Sequence, residues 1–281
     1  MINRRDFHLL ALGALSRYEL FGKPDSLIDG VQIGVQSYSF RDRGLDAAIE
    51  AMTEIGLSEC ELFQGHVEPK LRGDELMKWR ETAPLGPFHE IRKKFSDAGI
   101  RIYAFNYSFR DDWSDRAIDH GFEMAKALGT NRITASTTLP TVARIDKYAQ
   151  QYKTYVGVHN HSNMKAGEIN TPQSFTEALE GHSKYMSINL DIGHFTAAGF
   201  DPVAFLEERH ERILTIHIKD RKKNQGDNMP FGQGETPIKA VLQLLKNRRW
   251  KIPANIEYEY RGADTVVEVR KCYEFCKQAL A

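Results

Sequence analysis

Cysteine is scarce in this chain, a long apolar run is missing, and neither sign of charge is in excess. Only Cys60, Cys272 and Cys276 occur in 281 residues. The last two are four apart on an expected helix, a spacing ill suited to an unstrained disulfide. No Cys/His pattern of a zinc knuckle surrounds them, so all three are expected to be buried thiols. No stretch approaches the ~20 apolar residues of a membrane-spanning helix. Lys plus Arg number 38 and Asp plus Glu number 38. A nucleic-acid binder needs a basic excess to displace counterions, so nucleic acid is not an expected partner. The first expected strand is followed by no G-x-G-x-x-G; Gly34 stands alone within it, which disfavours a dinucleotide fold. No internal repeat or low-complexity tract is visible.

What is present suits one large core: 41% of the residues are hydrophobic and 10% aromatic. The N-terminal Asn3-Arg4-Arg5-Asp6-Phe7, followed by an apolar run from Leu9 to Leu15, resembles a twin-arginine export signal and implies a periplasmic protein. That run is short, and no Ala-x-Ala cleavage site follows it. The competing reading is a retained amphipathic helix on a cytoplasmic protein. Residues 1–30 are accordingly set apart as an extension, and 31–281 as a single domain.

Within that domain short β-branched runs alternate with helical periods. Strands are expected at 31–37, 58–63, 100–106, 131–136, 154–160, 186–191, 213–218 and 254–258. Helices are expected at 45–55, 89–98, 115–128, 140–151, 172–179, 202–209, 236–246 and 264–280, with a polar insertion carrying Pro69, Pro84 and Pro87. Eight alternations without a break in composition predict an α/β fold, a closed (β/α)8 barrel of one domain.

In such a barrel, outward strand residues pack on helices and must be apolar, while their neighbours face in. Val156 and Val158, Ile188 and Leu190, Ile216 and Ile218, and Ile256 and Tyr258 are the outward residues of the last four strands. His159 and His161, Asn189 and Asp191, His217 and Lys219, and Glu257 and Glu259 therefore face in. Two imidazoles and two carboxylates at four successive strand ends are costly as core filling. A divalent cation held by His159, Asp191, His217 and Glu257 resolves that cost. Mixed nitrogen and oxygen donors suit Mn, Co, Zn or Fe better than Ca, and the expected cofactor is one divalent metal, Mn, Co, Zn, Fe or Mg.

Several motifs then resemble one family. Asp191-Ile-Gly-His194 is similar to the D-x-x-H element, and His217-Ile-Lys-Asp220 to the H-x-x-D element, of the xylose isomerase-like barrels. Ile256-Glu257-Tyr258-Glu259 resembles the last-strand metal glutamate, and Gly232-Gln233-Gly234-Glu235 the G-x-G turn. The resemblance covers about residues 31–280. It implies a metal bound by the residues matching Asp191, His217 and Glu257, plus one from the fifth strand. That strand reads His159-Asn160-His161 where sugar epimerases of the family read Glu-Asn-His. A carboxylate ligand and acid/base group is thus replaced by imidazole, which puts a two-glutamate epimerisation in question. The extra ligands of the endonuclease branch are not matched, since 227–229 read Asp-Asn-Met and the third strand ends in Asn106.

The expected activity is that of a metal-dependent isomerase or epimerase acting on a sugar or sugar derivative through an enediolate. The alternative is a lyase or hydratase acting on 3-keto-glycosides or keto-cyclitols. Glu257, Glu259, His161 and His194 are the candidate catalytic residues. Gln64, His66, Asn106, Lys219, Tyr38 and Phe40 are candidate substrate contacts. Phe63, Tyr107 and Phe109 either wall the sugar or cap the core. The expected partner is a small carbohydrate; a homo-oligomer is compatible with the composition.

Overall fold

The computed structural model describes residues 23–281, so the arginine pair and the apolar run after it lie outside the described residues. The barrel strands are β1 (Val31–Gln36), β2 (Glu59–Phe63), β3 (Arg101–Asn106), β4 (Arg132–Ala135), β5 (Tyr155–His159), β6 (Met186–Asp191), β7 (Ile213–Ile218) and β8 (Ala254–Ile256). Each pairs in parallel with the next, and β8 pairs with β1, which closes the ring. Leu27–Ile28 adds a short antiparallel strand beside β1, at Leu27↔Gln32. The expected (β/α)8 barrel is therefore the observed architecture, a sheet without free edges wrapped by helices.

The outward residues are those the alternation predicts. Val156, Val158, Leu190, Ile216, Ile218 and Ile256 are fully buried against the helical layer. Helix termini follow local chemistry. Thr171 caps Pro172–Leu179 through a reciprocal box with Ser174, and Asp201 caps Pro202–Arg209 by accepting from Val203 and Ala204 N–H, so both helices start where cap and proline place them. All three cysteines are buried and free.

Two helices interrupt the simple alternation. Gly73–Thr82 lies within the stretch expected to be an irregular insertion, and none of its residues is buried. Ile192–Ala197 starts directly at the end of β6, with Asp191 serving as its cap. Beyond β7, Asp220–Arg221 pairs antiparallel with Asn228–Met229 in a small ribbon. These features all lie on the face where active sites of this architecture sit.

Candidate metal centre

Below the carboxyl ends of the strands the barrel interior is polar. Glu61, on β2, is fully buried. Its carboxylate accepts from Thr134 Oγ1 at 2.7 Å, Asn106 Nδ2 at 3.2 Å and Asn255 Nδ2 at 3.3 Å. Both of its oxygens lie within 3.0 Å of His217 Nε2. On the other side of that ring, His217 Nδ1 is 3.0 Å from Glu257 Oε2 and 4.0 Å from Asp191 Oδ2. Burial works against a proton on His217, but Glu61 and Glu257 outweigh it and hold the imidazole pKa well above its ordinary value.

One layer higher, His159, Asp191, His217 and Glu257 converge, each offering one donor atom, all within 4.8 Å of one another. Ligand atoms 2.0–2.2 Å from one cation stand ~3–4.4 Å apart, so a small contraction suffices to hold an ion. His159 Nε2 is buried and makes no hydrogen bond, and buried Asp191 Oδ2 has the Lys219 ammonium at 3.1 Å but no aligned hydrogen bond. Buried polar atoms are nearly always satisfied, and these two fit a cation. The residues present therefore suit the metal expected from the sequence.

Lys219 is the third partner of the carboxylates. Its ammonium stands 3.1 Å from Asp191 Oδ2, 2.9 Å from Glu257 Oε2 and 2.6 Å from Glu259 Oε2. Burial disfavours its charge, yet Asp191, Glu257 and Glu259 together raise its pKa. Burial raises the carboxyl pKa of Glu257, but Lys219 and His217 reverse that and leave it below the usual range. Asp191 is lowered too, with Lys219 and His194 outweighing burial.

Local sequence explains the placement. The Asn160 side chain bridges β5 and β6 by accepting from Asp191 N–H at 2.9 Å and donating to Asp191 C=O at 3.1 Å. Asp191 Oδ1 accepts from His194 N–H at 2.7 Å, which leaves Oδ2 to face the cluster. At Gly193 a Cβ would lie 2.6 Å from the Lys219 carbonyl oxygen. Glycine at that position lets the short helix close onto the end of β7 and bring His194 to 3.1 Å from Lys219 Nζ.

A hollow of about 280 Å³ opens over the cluster; Tyr38, Phe63, Asn106, His161, His194 and Glu259 are among the residues lining it. Ten of the thirteen site residues expected from the sequence thus meet here: the four donors, Lys219, Glu259, His161, His194, Asn106 and Tyr38. The other three do not reach it. Phe40 is fully buried in the core. Gln64 accepts from Ser108 N–H and donates to Glu68. His66, bonded to Ser37 Oγ, lines a separate hollow behind Phe63. Tyr107 is likewise packed in the core rather than walling the hollow.

Glu61 is the residue the sequence reading missed. Outer partners that hold a metal-ligating imidazole fix its tautomer and orientation, and their loss costs ~10–100-fold in metal affinity. Glu61→Gln is expected to weaken metal binding by about that factor in a competition titration against a chelator. Unchanged affinity would reduce Glu61 to a packing role.

Two imidazoles face the hollow uncharged. Burial, followed by the charges of His159 and Lys219, lowers the His161 pKa from 6.5 to about 4. Burial and Lys219 lower that of His194 as well. Between these values the unfolded chain binds more protons than the folded one, so stability falls as pH drops from about 6.5 towards 4. In chelator-treated protein the melting temperature is expected to decline across that window. His161→Gln should shrink the decline; an equal decline in the variant would assign it to other groups.

A closed parallel barrel with a buried His/Asp/His/Glu cluster at the carboxyl ends of its strands defines a (β/α)8 protein with a group that could hold a metal ion. Its sequence places it more narrowly. The chain belongs to the xylose isomerase-like TIM barrel family, whose sequence model matches residues 49–278. It is 28% identical over 114 residues to L-ribulose-5-phosphate 3-epimerase UlaE of Escherichia coli. That stretch spans 38% of this chain and 40% of the relative. Among solved structures it resembles the 3-keto-D-glucoside 4-epimerase YcjR of E. coli, at TM-score 0.67 and 14% identity over 88% of this chain and 99% of that one. It also resembles the IolI protein solved with a zinc atom, at TM-score 0.67 and 16% identity over 89% and 96% of the two chains. At such identities the likeness is one of fold. Among the described residues no helix is long and apolar enough to cross a membrane.

Proposed function

We propose that this protein is a metal-dependent isomerase or epimerase acting on a sugar or sugar derivative. The observation that carries this reading is the convergence of His159, Asp191, His217 and Glu257 beneath an open polar hollow. A divalent cation on those four residues, when bound, would polarise a sugar carbonyl and stabilise the negative charge left as the neighbouring carbon loses its proton.

The remaining work falls to the chain's own side chains. Glu259, just past the end of β8, keeps its carboxylate beside Lys219 and partly open to the hollow. His161 follows β5, three strands away round the ring, and its lowered pKa leaves it unprotonated at neutral pH. A proton removed on one side of a carbon and returned from another direction needs two such groups, each within hydrogen-bond reach of substrate. His194 lines the hollow with its ring nitrogens engaged by Lys219 Nζ and Arg221 Nη1, and would meet a substrate oxygen by exchanging one of these partners for it. Tyr38 and Phe63, in edge contact at 5.1 Å, flank the hollow and limit water.

One observation favours a second reading. Imidazole, not carboxylate, stands at the fifth-strand position in the cluster, so Glu257 and Asp191 are its only acidic donors. A single carboxylate base at Glu259 suffices for elimination from a keto-glycoside, in which the leaving group departs after proton removal. The deciding experiment incubates metal-supplied protein with keto-sugars and their glycosides in deuterated water. Deuterium uptake without loss of a substituent is the result expected of an isomerase or epimerase. Release of the substituent would replace that reading with the lyase, and neither outcome would remove both.

A further inference from the structure

A second hollow adjoins the one over the metal cluster, and it is larger, about 620 Å³ against 280 Å³. Ser136, His161 and His194 line both, so the two hollows abut at these residues. Small-molecule sites occupy roughly 300–1,000 Å³. The inner hollow alone falls just below that range, and the two together reach its upper part.

The outer hollow is a built feature of the rim. It lies among the loops that follow β3, β4 and β5, and these are laced together. The Asp111 carboxylate accepts from the hydroxyls of Thr138 and Thr141. Thr138 bridges to Glu168, and Leu139 N–H donates to the Gly167 carbonyl at 2.8 Å. Two polar atoms in its lining, Thr137 Oγ1 and Asn163 Oδ1, are buried and without a partner. Thr137 is only 9% exposed. Both atoms are turned away from solvent, so a ligand hydroxyl would pair with either only after its side chain rotates toward the hollow, a turn that the missing partner leaves unopposed.

Charge narrows the choice. The lining carries Asp111, Asp112 and Glu168 against one arginine, Arg110, and no lysine. The nearest buried-side guanidinium is committed: Arg221 donates to Ser162 Oγ and to the Gly226 carbonyl, and contacts His194 Nδ1. A phosphate dianion placed here would meet like charge. Carboxylates and hydroxyls instead accept from and donate to neutral sugar hydroxyls.

We propose that the substrate is a neutral sugar carrying a second sugar ring, with the reacting ring over the metal cluster and the second ring in the outer hollow. This rests on the sugar reading of the inner site. The test is isothermal titration of Zn²⁺-supplied protein with D-glucose and D-fructose, their 6-phosphates, and the disaccharides maltose, cellobiose and sucrose. At least one disaccharide is expected to bind tenfold or more tighter than either free hexose, and neither 6-phosphate to bind tighter than its parent. Asn163→Ala and Thr137→Val, the latter isosteric and checked by melting temperature, should each shrink the disaccharide-to-hexose ratio. Hexose binding with no disaccharide gain, or a tighter 6-phosphate, overturns the proposal and leaves the sugar reading standing. Binding of no sugar at all removes both.

Discussion

Asp191→Asn is expected to abolish near-unit metal stoichiometry while leaving the fold intact. The substitution is suited to separating these effects. Asparagine is as good a helix cap as aspartate, so the Oδ1 bond from His194 N–H that starts Ile192–Ala197 survives. The Asn160 bridge survives as well, because it uses only the backbone of residue 191. What disappears is the negative charge on Oδ2, which faces His159 Nε2 at 3.6 Å and the Lys219 ammonium at 3.1 Å. Loss of a direct charged donor should exceed the ~10–100-fold cost of losing an outer partner, so metal affinity is expected to fall about 100-fold or more. Elemental analysis of purified protein checks this directly. Full occupancy in the variant would show that the ion, if any, lies elsewhere.

The second large effect is on turnover alone. Glu259→Gln is expected to lower kcat on a confirmed substrate by about 10²–10⁴, or roughly 3–5 kcal/mol of barrier. Metal content and melting temperature should stay at parental values. The physical reason is position: Glu259 lies just past the donors, is 24% exposed, and faces the hollow from beside Lys219. His194→Ala is expected to act similarly. It is the less clean variant, because His194 Nε2 is 3.9 Å from Asp191 Oδ2 and its removal also frees Arg221. Parental turnover in both variants would make these residues structural.

The barrel was readable because its signals are local. β6 and β7 and the helices Pro172–Leu179 and Pro202–Arg209 have the limits that alternation, caps and prolines indicate. The metal cluster was readable by the same token: once Ile188, Leu190, Ile216 and Ile218 face the helices, Asp191 and His217 have only the interior left. Helix Gly73–Thr82 left no such trace. It buries no residue, so no apolar stripe marks it. Ile192–Ala197 is a turn and a half long and shares its cap with a strand end, which hides its start.

Glu61 is a more instructive miss. Glu59-Cys60-Glu61-Leu62 alternates as cleanly as β6, with Cys60 and Leu62 fully buried. Its inward set, however, is charged well below the strand ends, where a sequence offers no reason to expect a carboxylate. The reason lies across the barrel in His217, 156 positions later. Phe40 and His66 failed for a related cause. Both sit in or beside the tight turns that follow β1 and β2, at Ser37–Phe40 and Gln64–His66, where alternation ends and side-chain direction no longer follows the strand.

Lys219 sets the terms on which the proposed ion would enter. With its ammonium lodged among three carboxylates, and His217 held between Glu61 and Glu257, which raise its pKa, the folded chain carries its own positive charge at the centre of the barrel. On the proposed reading, loading would be a swap of occupants: the chain could fold first, and an arriving cation would displace the Lys219 amine from Asp191 and Glu257 before settling. The affinity of such an ion would be the difference between two tenancies, and stripping it would return the cluster to its resident lysine instead of unravelling the barrel, in contrast to small domains whose folding is the metal-binding event.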